Sequence, residues 1–212
     1  MSIQVASLLW IISFLLAPVS ELDQLINGLQ AKYQRLNTLT ADFTQTYHAP
    51  GERTRRESGQ LQLKKPGKMR WDYARPEAKL YVSDGKTIYE YIPAERTATR
   101  TSAKETDDWR APFMFLLGRG NLRRDFARLE FATEAPLRAG NRVLRMVPKR
   151  SSDIRELLIE VEPKTLSLAR LTIIKQGNAR IDFLLQNVQE NTVIADTVFA
   201  FHPPAGVQVR QQ

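Results

Sequence analysis

Two histidines, His48 and His202, are the only imidazoles in the chain, and they stand far apart in it. His48 precedes Ala49-Pro50-Gly51 and His202 precedes Pro203-Pro204, contexts that make both loop residues rather than general bases. There is no cysteine and no histidine pair at helical or turn spacing, so a metal site is not expected. No Gly-x-Ser-x-Gly string offers a serine nucleophile. Gly118-Arg119-Gly120 lacks the third glycine of a dinucleotide loop and follows a helix-like segment instead of a strand. Paired carboxylates remain at Asp107-Asp108 and at Glu160 and Glu162. The second pair falls on one face of an expected strand, where a solvated surface is the default reading. These residues imply neither catalysis nor a cofactor; what the chain offers in quantity is apolar surface.

That surface has to be positioned. The apolar residues Leu22, Leu25, Ile26, Leu29, Tyr33, Leu36 and Leu39 recur at steps of three and four, which predicts one amphipathic helix from Glu21 to Thr40. The period then changes to two. Leu61 and Leu63 alternate with Gln60, Gln62 and Lys64, and Met69, Trp71 and Tyr73 alternate with Arg70 and Asp72, as in strands with one wet face. Ser83-Asp84-Gly85-Lys86 reads as a tight hairpin between Leu80-Tyr81-Val82 and Ile88-Tyr89-Glu90-Tyr91. A further turn is expected at Pro93-Ala94-Glu95, before the alternating Thr97 to Thr101. Residues 109–118 are too apolar for an exposed helix, and something must cover them. Strands are expected again over 126–132, 142–147, 154–162, 166–175 and 180–187. One helix, many short antiparallel strands and a small helical insertion indicate a mainly β, α+β fold with a strongly curved sheet or barrel.

Leu8 to Leu16 is apolar except for Ser13 and is followed by Ala17, Pro18 and Ser20, so residues 1–20 read as a secretory leader and 21–212 as one domain. The apolar run is shorter than the roughly 20 residues that span a bilayer. A net charge of +8 raises the possibility of nucleic acid, and between Gly51 and Arg75 eight basic residues face three acidic ones. Export argues against that partner; anionic headgroups, an acidic protein or simply a solvated sheet edge suit the compartment better.

Several strings, in order, resemble the LolA family of periplasmic outer-membrane lipoprotein carriers. They are Leu39-Thr40-Ala41-Asp42-Phe43-Thr44-Gln45, the stretch Gly59 to Trp71 with Lys64-Lys65-Pro66 inside it, Val82-Ser83-Asp84-Gly85-Lys86-Thr87, Ala111-Pro112-Phe113-Met114, and Phe199 to Val207. The resemblance implies an incomplete antiparallel β-barrel whose apolar concave side is closed by a helical lid. It implies a monomeric, non-enzymatic carrier in the periplasm that takes acylated lipoproteins from an inner-membrane ABC transporter and hands them to an outer-membrane receptor. On that basis Leu61, Leu63, Met69, Trp71, Tyr73, Leu80, Val82, Tyr89 and Tyr91 are expected to line a hollow, with Phe113, Met114, Leu116 and Leu117 as its lid. The family's Lys/Arg-Arg-Pro, whose arginine ties the lid, has Lys65 at the matching position, so the latch is expected to be looser. The receptor of the same system shares the fold but needs a lipidated cysteine, which this sequence lacks. A specialised lipid or glycolipid carrier, a cavity enzyme and a lipid-sensing module stay open as alternatives on this fold.

Overall fold

The computed structural model describes residues 19–103, 113, 120–150 and 152–211. Helix α1 (Glu21–Arg35) opens the chain, and Ser20 caps it by accepting from the Asp23 amide at 3.0 Å. Glu21 and Asp23 in the first turn and Lys32 and Arg35 in the last complement the helix dipole. The helix stops short of Thr40: Leu36 is already extended, and strand β1 (Thr38–His48) begins two residues on. Leu36 and Leu39 continued the helical spacing by coincidence. Leu39, Ala41 and Phe43 are buried on alternate positions, and the β-branched Thr38 and Thr40 favour the strand.

Eleven further strands follow: β2 (Arg55–Lys64), β3 (Lys68–Arg75), β4 (Lys79–Ser83), β5 (Thr87–Ile92), β6 (Thr97–Ser102), β7 (Phe126–Phe131), β8 (Arg142–Pro148), β9 (Ile154–Val161), β10 (Leu168–Lys175), β11 (Arg180–Glu190) and β12 (Gln208–Gln211). A four-residue helix α2 (Leu122–Asp125) precedes β7. All twelve strands form one sheet in the order β12-β6-β5-β4-β3-β2-β1-β11-β10-β9-β8-β7, antiparallel throughout except for the parallel β12–β6 pair. The two terminal strands, β12 and β7, are not paired with each other, so the sheet is open.

Curvature follows from the core. Tyr81 of β4, Ile88 of β5 and Leu144 and Met146 of β8 belong to one cluster of buried side chains, although β5 and β8 stand eight places apart in the sheet. At about 4.8 Å per strand a flat sheet would hold those strands almost 40 Å apart. The sheet must therefore curl round its core, giving an incomplete barrel. Gly59 belongs to that curvature: a Cβ there would stand 1.9 Å from the Asp72 carbonyl oxygen, at a bulge where β2 and β3 approach closely. Gly85 supplies the positive φ of +92° that the β4–β5 hairpin needs.

Helix α1 lies on the concave side. It buries Leu25, Ile26, Leu29 and Tyr33, each worth about 1.5–3 kcal/mol relative to exposure. Salt bridges from Arg142 to Glu21 and from Arg123 to Asp23 fix its first turn. The Tyr33 hydroxyl donates to Leu166 O at 3.2 Å, and burial pushes the phenol's pKa up. On the convex side, residues 191–207 form a strap across β2 to β5, which then runs into β12. Asp196 of the strap holds Lys64 and Lys68 at 2.7 and 2.8 Å, and Arg70 donates to Val198 O at 3.1 Å. Among the described residues no helix is long and apolar enough to cross a membrane.

Candidate functional site

The concave face is built by strand alternation. Leu61 and Leu63 of β2 pair with Trp71 and Met69 of β3, and Tyr73 pairs with Gly59, so these side chains share one face with Leu39, Ala41 and Phe43 of β1. On the other side of β1, Phe43 faces Leu185 of β11, and β11 adds Phe183 and Ile181. Five aromatic rings meet here. Trp71 lies edge-on to Phe43, Phe113 and Phe183 at centroid distances of 5.0, 4.7 and 5.4 Å, and Phe43 meets Tyr73 at 4.9 Å. Such edge-to-face contacts each add about 0.5–1.5 kcal/mol beyond the area they bury. Phe113 comes from the stretch expected to be a lid, and it is fully buried against these strands. Met114, Leu116 and Leu117 lie outside the described residues.

Two expectations need correcting. Leu80, Val82, Tyr89 and Tyr91 do not share the inward face. Trp71 pairs with Tyr81 and Arg70 with Val82, so in β4 it is Tyr81 that points inward, and Ile88 does so in β5. Val82 is buried on the convex face against Ile194 and Phe199 of the strap, with Leu80, Tyr89 and Phe201 packed round it. Tyr91 meets Phe201 at 5.5 Å. Leu80-Tyr81-Val82 has no alternation to reveal its facing, which is set by the register of the β3–β4 pair. Nor is there an open hollow at the middle of the described face: Leu61, Leu63, Trp71, Phe113 and Phe183 are each fully buried by their neighbours.

Lys65 does act as a tie, though to a different element from the one expected. Its Nζ donates to Tyr33 O and Gln34 O at 3.2 and 2.5 Å, so it caps the last turn of α1. Burial lowers the ammonium pKa. A lysine at a helix C-terminus also meets the negative end of the dipole.

The far end of the concave face is polar. Tyr73 donates from its hydroxyl to Gln45 Oε1 at 2.8 Å, and both side chains are buried. Beyond them a 230 Å³ pocket opens, lined by Gln45, Tyr47, Arg55, Glu57, Lys79 and Lys175, among others. Lys79 bridges to Glu57 at 2.5 Å and sits 4.2 Å from the centre of the Tyr73 ring. Among the described residues there is no grouping of three acidic or histidine side chains suited to a metal.

Glu160 is not solvated as the sequence suggested. It is buried on the convex side of β9, taking the Leu137 and Arg138 amides at 2.9 and 3.0 Å, Asn141 at 3.0 Å and Arg170 at 3.2 Å. Burial alone would raise its pKa, but these donors hold it below the usual carboxylate value. Arg170 and Arg180 both reach Glu134, and Arg180 also binds Asp182.

Sequence reasoning missed Phe43, Phe183, Leu171 and Ile173 as members of the concave wall. The signal was present in β1, where Leu39, Ala41 and Phe43 alternate with Thr40 and Asp42, and in part in β11, where Leu184 interrupts the alternation of Ile181, Phe183 and Leu185. A family profile described as outer membrane lipoprotein carrier protein LolA matches residues 34–202. The chain belongs to the LolA family of outer-membrane lipoprotein carriers. A carrier of that name from Bordetella avium (strain 197N) is 31% identical over 196 residues, covering 92% of this chain and 91% of the relative. Another from Chromobacterium violaceum is 31% identical over 182 residues, covering 85% and 84%. Among solved structures, an uncharacterized conserved protein from Thermus thermophilus superposes with a TM-score of 0.56 at 11% identity, covering 88% of this chain and 98% of that one. That likeness speaks for the fold alone.

Proposed function

We propose that this LolA-family chain carries acylated lipoproteins across the periplasm as a monomer, holding their acyl chains against the concave face. It takes them from an inner-membrane ABC transporter and releases them to an outer-membrane receptor, and residues 1–20 serve as the export leader. The observation that carries this reading is the seating of Phe113 among Trp71, Phe43 and Phe183. A side chain distant in sequence completes an apolar wall that the strands alone leave uncovered. We read the packed face as the lipid-free form, in which protein groups stand where chains would go.

Magnitudes favour exchange. Withdrawing Phe113 forfeits about 1.5–3 kcal/mol of burial. Each CH₂ taken from water returns about 0.8 kcal/mol, so roughly two to four methylenes offset the loss and a full acyl chain exceeds it several times over. Met69, unbranched and polarisable, suits a wall that must repack. No nucleotide is needed in the periplasm when protein side chains can re-cover the face as cargo leaves.

Native mass spectrometry of the protein purified from periplasm tests the proposal. Bound acylated peptide is expected. Protein that is uniformly lipid-free, and that shows no change in tryptophan emission with added acylated peptide, rejects acyl carriage. A bound glycolipid instead rejects lipoprotein cargo and selects the dedicated-lipid alternative.

A further inference from the structure

The carrier reading accounts for the rings of the concave face but leaves the polar end of the same face unused. Gln45 stands on β1 two residues after Phe43, on the same side of the strand, and is only 7% exposed. Its Oε1 accepts from the Tyr73 hydroxyl at 2.8 Å. The tyrosine thereby fixes the amide, and Nε2 on the same carbon is turned away from it. That nitrogen has no hydrogen-bond partner among the described residues, and it is not shut off from solvent. Gln45 is one of the side chains that line the 230 Å³ pocket.

The pocket's two lysines are ion-paired. Lys79 is held by Glu57, and Lys175 is bonded to Asp153 at 2.6 Å. Arg55 lies over the Tyr47 ring, 4.4 Å from its centre. Beside the Tyr47 hydroxyl and the Arg55 guanidinium at its rim, the pocket offers a ligand one buried neutral donor, the Gln45 amide, where the aromatic wall meets the charged rim. The volume is below the roughly 300–1,000 Å³ of sites that enclose a whole drug-sized molecule, so the pocket fits a polar head and not the chains attached to it.

We propose that Gln45, oriented by Tyr73, donates a hydrogen bond to an ester or amide carbonyl at the head of the acylated cargo, and so sets how deep the chains sit. This rests on the carrier reading. A donor at this place distinguishes acyl groups, which have carbonyls, from alkyl or ether-linked chains of equal length. Without a carbonyl the Gln45 nitrogen would be desolvated with no acceptor, and that asymmetry is the source of selectivity. Tyr73 is a positioning residue, since it acts through the glutamine.

The test compares two synthetic cysteine peptides of the same chain length on the full-length mature protein. One carries ester-linked chains, and in the other ether linkages replace the esters. Competition against a fluorescent fatty-acid probe reports both. The unaltered protein is expected to hold the ester peptide about fivefold more tightly. In Gln45→Leu that ratio falls to about one as the ether peptide, no longer desolvating an amide, gains affinity relative to the ester peptide, and Tyr73→Phe gives an intermediate ratio. Equal affinity of the two peptides for the unaltered protein overturns the head-group assignment and leaves acyl carriage standing. A preference that persists in both variants also overturns it. Failure of both peptides to bind the unaltered protein overturns the carrier reading itself. The comparison of linkages needs no variant, so the proposal stays testable even where a substitution impairs folding.

Discussion

Trp71 and Glu160 are equally withdrawn from water, yet they are held in opposite ways. Trp71, on the concave face, is surrounded by rings from β1, β11 and residue 113, contacts that depend on area and shape and can be made by many partners. Glu160, on the convex face, has each oxygen assigned to named donors: Oε1 to Arg138 N and Asn141, Oε2 to Leu137 N and Arg170. Directional bonds cannot be traded for a fatty tail. The contrast teaches which side of the sheet can repack while the other keeps its form.

Substitutions should separate the two faces. Trp71→Ala should cost the most, about 3–5 kcal/mol by urea unfolding, and an acylated peptide should restore part of the midpoint by filling the vacated space. Glu160→Gln should cost on the order of 3 kcal/mol, because Arg170 loses a buried counter-charge, and the same peptide should restore nothing. Equal recovery in both variants would break the comparison.

Acid should act on the convex side first. Hydrogen bonds from Arg180, and less so from Arg170, hold Glu134 at about 2, against an ordinary value of 4.5. Its folded-state pKa is depressed, so its contribution is complete above about pH 4.5 and is lost as the pH falls towards about 2. Melting temperatures over that range should drop in the native chain and drop less in Glu134→Gln. The smallest effect belongs to the helix tie. Lys65→Met should cost about 1 kcal/mol and speed hydrogen exchange of the Leu36 amide, which donates to Lys32 O at the end of α1. Lys65→Arg should slow that exchange, and no gain in protection would reject a looser tie.

Much of the fold was legible because single strands advertise their inner face. Leu61-Gln62-Leu63 and Met69-Arg70-Trp71-Asp72-Tyr73 are strictly two-periodic, and those five apolar residues all lie where the pattern put them. The hairpin at Gly85 and the turn at Pro93 were equally plain. What could not be read was relative register. The β3–β4 pair joins odd positions to odd, and the β4–β5 pair joins odd to even, so Tyr81 turns inward beside Trp71 while Tyr89 turns outward beside Val82. Nothing in Leu80-Tyr81-Val82 encodes that. The burial of Glu160 was hidden for a related reason: its donors come from residues 137–141, a loop whose path over β9 is tertiary.

The missing bond between β7 and β12 has a mechanical consequence. In a sealed cylinder the girth is fixed by strand number and stagger, and widening it means breaking a ladder. Here the seam was never sewn. Among the described residues its two margins are unpaired, so the girth can change with every rung of the backbone lattice intact.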